Sequence, residues 1–518
     1  MFMKKFFLAG LLLATGFCNG YAELDLIPLP TRIEQQTGHF MLDSRTVIIA
    51  DSLFTNEAAL IAGELGLTNA NSADKNRILL TTGQAEGLGA EGYRLEVNRQ
   101  GVNIHALSPA GAFYGCQTLR QLIEPRTKEI PCVKIEDTPR YEWRGLMLDV
   151  SRHFFDKPTI LQLLDWMADY KLNRLHLHLT DDQAWRLEIK KYPELTSIGA
   201  RGNYSDANAP PQFFTDDEMR DIIEYAARRH IVVVPEIDMP GHAGAATRTF
   251  PQLDGGARTF NPAHEETYDF LQDVLTETME IFPSPWIHLG GDEVNRSAWN
   301  QNTDVQKKLR AGGMKNTQQL EDYFVNRMAE FIEAHGRTPM GWDEIIAARP
   351  DANAVIFWWR HDKPEMLVRA LAGGHRVVLT PRSPCYFDYP QDKSYPEIGW
   401  KLFNTPEAVY RGPVIPANIP ATELKQILGV EACIWTEHIA SVPYLEFMTI
   451  PRMAALAEMA WTPDRQRNFA RFDQRLQPFL DQYRQLGIHY YDETDPAGSL
   501  HASRQLPDAA QNLSFFNH

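Results

Sequence analysis

Carboxylates and tryptophans recur where apolar runs of the sequence end. The polar and aromatic residues at these ends are Arg152, His153, Asp181, Asp182, Glu236, Asp238, His242, Asp292, Glu293, Trp342, Asp343, Glu344, Trp358, Trp359, Tyr386, Asp388, Trp435 and Glu437. A single Asp after a strand is usually a turn residue, and a single Trp is usually part of a core. Their recurrence indicates a binding site instead. Carboxylates bind hydroxyl groups and aromatic rings cover the C–H faces of sugars, so the residue types favour a carbohydrate pocket.

The adjacent pair Asp292-Glu293, in the segment HLGGDEV, is the most informative local feature. Neighbouring strand residues point to opposite faces, whereas ordinary retaining glycosidases use two separate carboxyl groups about 5 Å apart. Gly290-Gly291 permits an unusual backbone that turns both carboxylates inward. Two close carboxylates separate their pKa values, so one of them can stay protonated and serve as an acid.

His176 and His178 form an HxH pattern, which raises a metal-dependent barrel hydrolase as an alternative. Residues i and i+2 of a strand share a face, as metal ligands require. That alternative needs further His ligands at later strand ends, where this chain has carboxylates and Trp, apart from His242 in a loop. We therefore interpret His176 and His178 as structural or hydrogen-bonding residues, and we expect no metal and no cofactor.

Eight apolar β-rich runs position these residues. The runs are Arg144 to Ser151, Asn173 to Asp181, His230 to Met239, Trp286 to Glu293, Thr338 to Glu344, Ala354 to Arg360, His375 to Asp388 and Ile427 to Glu437. Amphipathic helices are predicted between them at Thr159 to Tyr170, Asp216 to Arg229, Glu266 to Ile281 and Gln318 to Ala334. Strands covered on both faces, in eight strand–helix repeats, predict an α/β fold of the (β/α)8 TIM-barrel type. A doubly wound open sheet is the alternative, but no Gly-rich phosphate loop follows any strand.

The barrel is predicted to occupy residues 139–487, behind a small α+β domain at residues 23–138. Predicted strands of the small domain are Thr46 to Ala50, Arg77 to Thr82, Tyr93 to Asn98, Gly101 to Ala106 and Cys132 to Ile135, with a helix over Ala110 to Ile123. Helices over Pro443 to Trp461 and Arg465 to Leu486 are expected to follow the last barrel strand. Residues 488–518 are a polar tail with no clear element.

Composition limits the partners and the covalent chemistry. The chain has 518 residues, 51 Lys and Arg against 67 Asp and Glu, and a net charge of −16. An acidic surface argues against nucleic acid, because phosphates bind to clustered Lys and Arg. Beyond Cys18, the four cysteines Cys116, Cys132, Cys385 and Cys433 are too few for a disulfide framework. Buried free thiols are expected, with a Cys116–Cys132 bridge as an unsupported alternative.

The first 22 residues are predicted to be a secretory signal peptide. Lys4 and Lys5 precede the apolar run Phe6 to Phe17, and Gly20-Tyr21-Ala22 is a small-x-small cleavage pattern. The run is shorter than the roughly 20 apolar residues that span a bilayer. We expect an exported, periplasmic protein without an integral membrane segment after cleavage. Lipidation of Cys18, giving a cell-surface lipoprotein, is the less favoured alternative.

Six motifs together resemble glycoside hydrolase family 20, the β-N-acetylhexosaminidases. They are RGLMLDVSRHFF, NRLHLHLTDDQAWRLEI, VVVPEIDMPGHA, HLGGDEV, GWDEI and GVEACIWTEH, in the family's order from Arg144 to His438. The resemblance implies an exo-acting retaining β-N-acetylhexosaminidase that releases terminal N-acetylglucosamine or N-acetylgalactosamine from glycans. It also implies substrate assistance, in which the acetamido group of the substrate is the nucleophile.

The same resemblance assigns expected roles to individual residues. Glu293 would be the general acid/base, Asp292 would orient the acetamido group, and Tyr386 would hydrogen-bond its oxygen. Arg152 and Glu437 would hold the outer hydroxyls, and Asp388 another hydroxyl. The remaining expected site residues are the walls Trp342, Trp359 and Trp435, and the polar network near Glu293 formed by Asp181, Asp238 and His242. Trp359 is preferred to Trp358 because it directly precedes Arg360.

Two alternatives stand beside this expectation. One is the metal-dependent barrel hydrolase that would use His176 and His178. The other is a non-catalytic glycan-binding protein that has kept the pocket, against which the intact Asp292-Glu293 pair argues. The preference between the two N-acetylhexosamines, the linkage and the oligomeric state carry no prediction, because both sugars present the same acetamido group.

Overall fold

The computed structural model describes residues 24–70, 72–73, 75–393 and 402–504. The predicted signal peptide at residues 1–22 lies outside the described residues. In the part of the chain that is described, no helix is long and apolar enough to cross a membrane.

The N-terminal domain is a seven-stranded mixed sheet with two helices packed against it. Its elements are β1 (Arg32–Met41), β2 (Val47–Ala50), α1 (Thr55–Leu65), β3 (Thr68–Asn69), β4 (Arg77–Thr82), β5 (Tyr93–Asn98), β6 (Gly101–Ala106), α2 (Pro109–Leu122) and β7 (Glu129–Asp137). The strand order is β1-β7-β5-β6-β4-β2-β3. The five predicted strands and the predicted helix are present. β1 was not predicted, because its sequence RIEQQTGHFM is mostly polar and half-exposed and contains no apolar run.

Eight parallel strands close into a barrel, which confirms the predicted fold and excludes the open sheet. They are β8 (Trp143–Asp149), β9 (Arg174–His178), β10 (Val232–Glu236), β13 (Trp286–His288), β14 (Thr338–Trp342), β15 (Val355–Trp358), β16 (Val377–Leu379) and β17 (Ile427–Ile434). A hairpin of β11 (Asp254–Gly256) and β12 (Thr259–Phe260) lies between β10 and β13 in the chain. Each predicted run overlaps one of these strands, and β17 pairs with β8 to complete the closure.

Helices connect the barrel strands or follow the last of them. They are α3 (Lys157–Asp169), α4 (Asp216–Ala227), α5 (Gly244–Thr249), α6 (Glu265–Ile281), α7 (Thr303–Ala311), α8 (Thr317–Ala334), α9 (Pro364–Ala372), α10 (Arg382–Cys385), α11 (Pro406–Arg411), α12 (Val442–Thr449), α13 (Arg452–Trp461), α14 (Phe469–Leu486) and α15 (Pro496–Arg504). Strand side chains alternate between two layers. Leu146 and Leu148 pack in the outer core, whereas Met147 joins the aromatic cluster inside the barrel.

The structure corrects the sequence prediction in the C-terminal part of the chain. The single helical stretch predicted over Pro443 to Trp461 is two helices, because Pro451 has no N–H with which to continue the first. The predicted featureless tail contains α15, where an Asp495 oxygen accepts the N–H of Gly498 at 3.1 Å. The Arg504 guanidinium lies 5.5 Å from the ring of Tyr444, so the tail folds back onto α12.

Ion pairs join the N-terminal domain to the barrel. Arg144, at the start of β8, donates to both carboxylate oxygens of Glu91, at 2.8 and 2.9 Å. Lys171 lies 3.2 Å from Asp137 at the end of β7, and both side chains are buried. Cys116, Cys132, Cys385 and Cys433 are free and buried, so no Cys116–Cys132 bridge forms.

Candidate active site

The turn that carries Asp292 and Glu293 follows the short strand β13. The predicted run extended to Glu293, but the strand ends at His288 because Gly290 and Gly291 adopt φ angles of 69° and 91°. A Cβ on Gly290 would lie 1.8 Å from Oδ1 of Asp238, so only glycine fits there. Glu293 itself has a φ of 49°, in the left-handed region that few non-glycine residues adopt. The predicted unusual backbone is therefore present.

This backbone brings both carboxylates to one imidazole. Nε2 of His242 lies 3.6 Å from Asp292 and 3.8 Å from Glu293. The Asp292 side chain is 12% exposed, whereas that of Glu293 is 60% exposed. Two neighbouring residues thus have different environments, and Glu293 is the one open to an incoming group.

Burial raises the pKa of Asp292 to about 6, and the charges of Glu236 and Glu293 add to this against the opposing effect of His242. Burial and the Asp292 charge also raise the pKa of Asp238 well above its ordinary value. Asp238 accepts the N–H of Gly291 at 3.2 Å and thereby holds the glycine turn in place. At neutral pH, Asp292 is a buried anion beside His242.

Asp181 connects His242 to the opposite side of the site. One Asp181 oxygen lies 3.2 Å from Nδ1 of His242. The other lies 2.7 Å from the Arg152 guanidinium and 2.8 Å from Nε2 of His178. Burial alone would raise the pKa of Asp181, but Arg152 and His242 hold it well below its ordinary value. Asp181 is therefore a fixed anion that orients two cationic side chains.

Aromatic rings form the wall of the site. The Trp342 and Trp435 rings lie 5.7 Å apart, and the Tyr386 ring lies 6.2 Å from that of Trp435. Trp359 stacks on Tyr386 at 6.4 Å and an interplanar angle of 14°. Trp358 packs in the core outside the barrel and is not part of this wall. Burial raises the pKa of Tyr386 well above its ordinary value, which keeps its phenol protonated as a donor.

Three further predicted residues complete the pocket. The Arg152 guanidinium lies 4.9 Å from the Trp435 ring. Glu437 has a buried Oε2 without a hydrogen-bond partner among the described residues, as expected of an oxygen that accepts from a ligand hydroxyl. Asp388 is buried close to Tyr386. All twelve predicted site residues therefore gather at the carboxyl end of the barrel.

Comparison with known proteins shows the family to which the chain belongs. Residues 141–464 match the model of the glycosyl hydrolase family 20 catalytic domain, and residues 23–138 match that of family 20 domain 2. The chain belongs to glycosyl hydrolase family 20.

Relatives of this family 20 chain cover nearly all of its length. A β-N-acetylhexosaminidase of Cellulomonas fimi is 31% identical over 94% of this chain and 99% of its own length. A β-hexosaminidase of Porphyromonas gingivalis is 33% identical over 90% of this chain, which spans 64% of that longer relative. The crystal structure of a family 20 exo β-N-acetylglucosaminidase from Vibrio harveyi in complex with N-acetylglucosamine superposes with a TM-score of 0.85 at 30% identity, over 90% of this chain and 78% of that one.

Glu236 of this family 20 hydrolase, to which the sequence motifs assign no role, lies below the pocket inside the barrel. Its Oε1 accepts the indole N–H of Trp342 at 2.9 Å and lies 3.0 Å from His288. Its Oε2 lies 2.6 Å from Nδ1 of His178 and 3.2 Å from His176. The available signal was a carboxylate within the apolar run VVVPEID, since a buried charge requires polar partners.

Glu431 and Asp149 were also missed, and they carry the same signal of a charge within an apolar strand. Glu431 lies 2.9 Å from Nδ1 of His176 and accepts the indole N–H of Trp143 at 2.9 Å. Asp149 accepts the backbone N–H groups of Arg152 and Thr436, each at 3.0 Å. These carboxylates fix the strands from which the pocket residues project.

His176 and His178 both bond to carboxylates. His176 lies between Glu236 and Glu431, and His178 between Glu236 and Asp181. Burial would lower the pKa of His176, but Glu431 and Glu236 raise it to about 9. Ligand atoms of His176, Glu236 and His288 lie close enough together to hold a metal ion, as do those of Asp238, His242 and Asp292. Each of these two imidazoles already has carboxylate partners at hydrogen-bonding distance, which favours the hydrogen-bonding interpretation of His176 and His178.

Proposed function

We propose that this family 20 hydrolase is an exo-acting, retaining β-N-acetylhexosaminidase with a substrate-assisted mechanism. The observation that carries the proposal is the turn that places a buried Asp292 and an exposed Glu293 around His242. An acid that faces outward and an anion that faces the sugar pocket are the two groups that such a mechanism requires. The names of the relatives from Cellulomonas fimi and Porphyromonas gingivalis agree with this proposal.

In the first step, the acetamido oxygen of the substrate attacks the anomeric carbon. The bond from that carbon to the leaving oxygen breaks, and Glu293 gives its proton to the leaving oxygen. Asp292, ionised above its pKa of about 6, accepts from the acetamido N–H and stabilises the cationic oxazolinium ring. The Tyr386 phenol donates to the acetamido oxygen and orients it. An intramolecular nucleophile has a high effective concentration, so no enzyme nucleophile is needed.

In the second step, water attacks the anomeric carbon from the side that the leaving group has vacated. Glu293, now a carboxylate, takes a proton from this water, and the ring opens to restore the acetamido group. Two inversions give a product with the original β configuration. Arg152, Glu437 and Asp388 would hold the hydroxyls, and the tryptophans would pack on the ring faces.

Substrates that differ only at the 2-acetamido group test this mechanism. Aryl β-N-acetylglucosaminides should be cleaved, aryl β-glucosides should be nearly inert, and trifluorination of the acetyl methyl should slow turnover sharply. A thiazoline mimic of the oxazolinium should bind much more tightly than N-acetylglucosamine. A covalent sugar–carboxylate adduct, or an inverted product in early proton NMR spectra, would contradict the mechanism.

The same assay addresses the two alternative functions. A glycan-binding protein without activity would bind N-acetylglucosamine but would release no aryl alcohol from any substrate. A metal-dependent hydrolase would lose activity after exhaustive chelation and regain it with added metal. We expect full activity after chelation.

We also propose that the chain is exported, on the basis of the pattern in residues 1–22. Mature protein from the periplasm should begin at Glu23, as N-terminal sequencing would reveal. A mature chain that begins at a lipid-modified Cys18, and that becomes soluble in the Cys18→Ser variant, would instead support the lipoprotein alternative.

A further inference from the structure

An arginine outside the sugar pocket lies against one of the aromatic walls of that pocket. The Arg382 guanidinium, at the start of α10, lies 5.1 Å from the centre of the Trp359 ring. The backbone N–H of Arg382 also donates to the Trp359 carbonyl oxygen, at 2.9 Å. The mechanism proposed above gives Arg382 no role, although it lies in direct contact with a residue of the pocket wall.

An ion pair holds the guanidinium in this position. Nη2 of Arg382 donates to the carboxylate of Asp362, which lies in the loop after β15. The Arg382 side chain is 30% exposed, whereas that of Asp362 is 53% exposed. The Nε of Arg382 is buried and has no hydrogen-bond partner among the described residues. A cation within about 6 Å of an indole ring is stabilised by the π face of that ring, so contact with Trp359 offsets the missing hydrogen bond.

The Trp359 ring is held both along its edge and over its face. Its indole N–H donates to Glu344 at 2.9 Å, and this bond fixes the edge of the ring. A single hydrogen bond leaves the ring free to tilt, and the Arg382 guanidinium restricts that tilt. Trp359 in turn stacks on Tyr386, with an interplanar angle of 14° and 6.4 Å between the ring centres. A change in the tilt of Trp359 would therefore alter the space beside the Tyr386 phenol.

The acyl group of the substrate must lie beside these two stacked rings, because the Tyr386 phenol is expected to hold the acetamido oxygen. We propose that Arg382 is a positioning residue for Trp359, and that it restricts the 2-acyl group of the substrate to acetyl. With the guanidinium in place, Trp359 does not tilt away to admit a longer acyl chain. This inference rests on the proposed function and specifies which 2-acylamido sugars the enzyme accepts.

Arg360 is a second cation near this ring, with its guanidinium 5.9 Å from the ring centre. That guanidinium is paired with two carboxylates, those of Asp343 and Glu344. In the described part of the chain, Arg382 pairs with one carboxylate, that of the half-exposed Asp362. Arg382 is therefore the cation whose contact with the ring is least opposed by neighbouring anions.

Two substrates that differ by one methylene group test this role. Aryl β-glucosaminides with an N-acetyl or an N-propionyl group share the same leaving group, so only the acyl group differs. In Arg382→Ala, the ratio of kcat/KM for the acetyl substrate to that for the propionyl substrate should fall about 2- to 5-fold, the size expected for one cation–π contact near the surface. Arg382→Lys keeps a cation near the ring, so its ratio should lie closer to wild type than that of Arg382→Ala.

Asp362→Asn removes the carboxylate that fixes the guanidinium, and it should lower the same ratio. Because Asp362 is half-exposed, this variant should fold even if Arg382→Ala does not. Arg411→Ala is the matched control, since Arg411 also pairs with a nearby carboxylate, that of Glu407, but on the exposed surface of α11. The control should leave the ratio unchanged.

An unchanged ratio in Arg382→Ala or in Asp362→Asn would overturn the inference, even if the melting temperature or both kcat/KM values were lower. A ratio in Arg382→Lys as low as that in Arg382→Ala would overturn it as well, because the positive charge would then not be what holds the ring. Wild-type enzyme that does not cleave the N-acetyl substrate would instead overturn the proposed function, so the two failures are distinguishable.

Discussion

Oε2 of Glu236 lies 2.6 Å from Nδ1 of His178 and begins a chain of contacts that runs from the barrel interior to Glu293, the proposed general acid. From His178 the contacts continue through Asp181 at 2.8 Å to His242 at 3.2 Å, and then to Glu293 at 3.8 Å. Burial would lower the pKa of His178, but Glu236 and Asp181 hold it well above its ordinary value. We therefore expect Glu236 to be a positioning residue that acts on Glu293 through three other side chains.

Removal of this buried charge should change the pH profile of the enzyme. In Glu236→Gln, kcat should fall about 10-fold or more, the size of effect expected when a catalytic group is misplaced. The acidic limb of the profile should move to lower pH, because the charge of Glu236 is one of the effects that raise the pKa of Asp292. The charged and titratable groups around Glu236 are His176, His178, His288, Asp238 and Asp292.

Glu431→Gln is the matched control for this profile. Glu431 is equally buried and also bonds a His and a Trp, but it has no direct contact with His178. The Glu431→Gln variant should therefore keep the pH dependence of the wild-type enzyme. Identical profiles for the two variants, with only the melting temperatures lowered, would show that Glu236 has a purely structural role.

Glu293→Gln should separate substrates by their leaving groups. General acid catalysis contributes about 10²- to 10⁴-fold, so cleavage of natural disaccharides should fall by that amount. An activated aryl substrate should be partly rescued, because its leaving group needs no proton. Glu330→Gln, an exposed position on α8, should behave as wild type. An unchanged rate on both substrates would rule out Glu293 as the acid.

Trp435→Ala should impair catalysis more than stability. Its ring touches Trp342, Tyr386 and His178, so its loss removes a sugar contact and alters the pocket shape. We expect kcat/KM to fall about 10- to 100-fold, which corresponds to roughly 1.4 to 2.7 kcal/mol. Trp286→Ala, at the amino end of β13, should lower the melting temperature but leave kcat/KM near wild type. If Trp435→Ala instead lowered the melting temperature and left kcat/KM near wild type, the role of Trp435 would be core packing.

The raised pKa of Asp292 predicts effects on both activity and stability. Activity should fall as pH drops through about 6, because protonated Asp292 cannot stabilise the oxazolinium. Between pH 3.8 and about 6 the folded state holds a proton that the unfolded state has lost, so wild-type stability declines as pH rises through this window. Asp292→Asn should remove this cost, which is about 3 kcal/mol at most. Its gain in melting temperature over wild type should be larger at pH 7 than at pH 4, while its activity is largely lost.

Local patterns in the sequence determined the fold class and the composition of the site. Apolar runs with the period of buried strands, separated by amphipathic helices, are short-range features, and they are sufficient to specify a (β/α)8 barrel. Because a barrel brings all its strand ends to one face, the residues after those runs could be predicted to meet. The need for Gly290 and Gly291 before Asp292-Glu293 was also a local property, since it depends on backbone conformation alone.

Contacts between distant segments were decided only by the tertiary structure. Glu236 and His178 lie 58 positions apart in the sequence. Arg296 forms an ion pair with Glu321 of α8, and no sequence motif links these two residues. The polar strand β1 and the helix α15 have no apolar periodicity of their own, and they form where a packed neighbour supplies partners. Closure of the barrel sets which buried charge faces which imidazole, and no local pattern encodes that pairing because its free energy arises only when the strands are side by side.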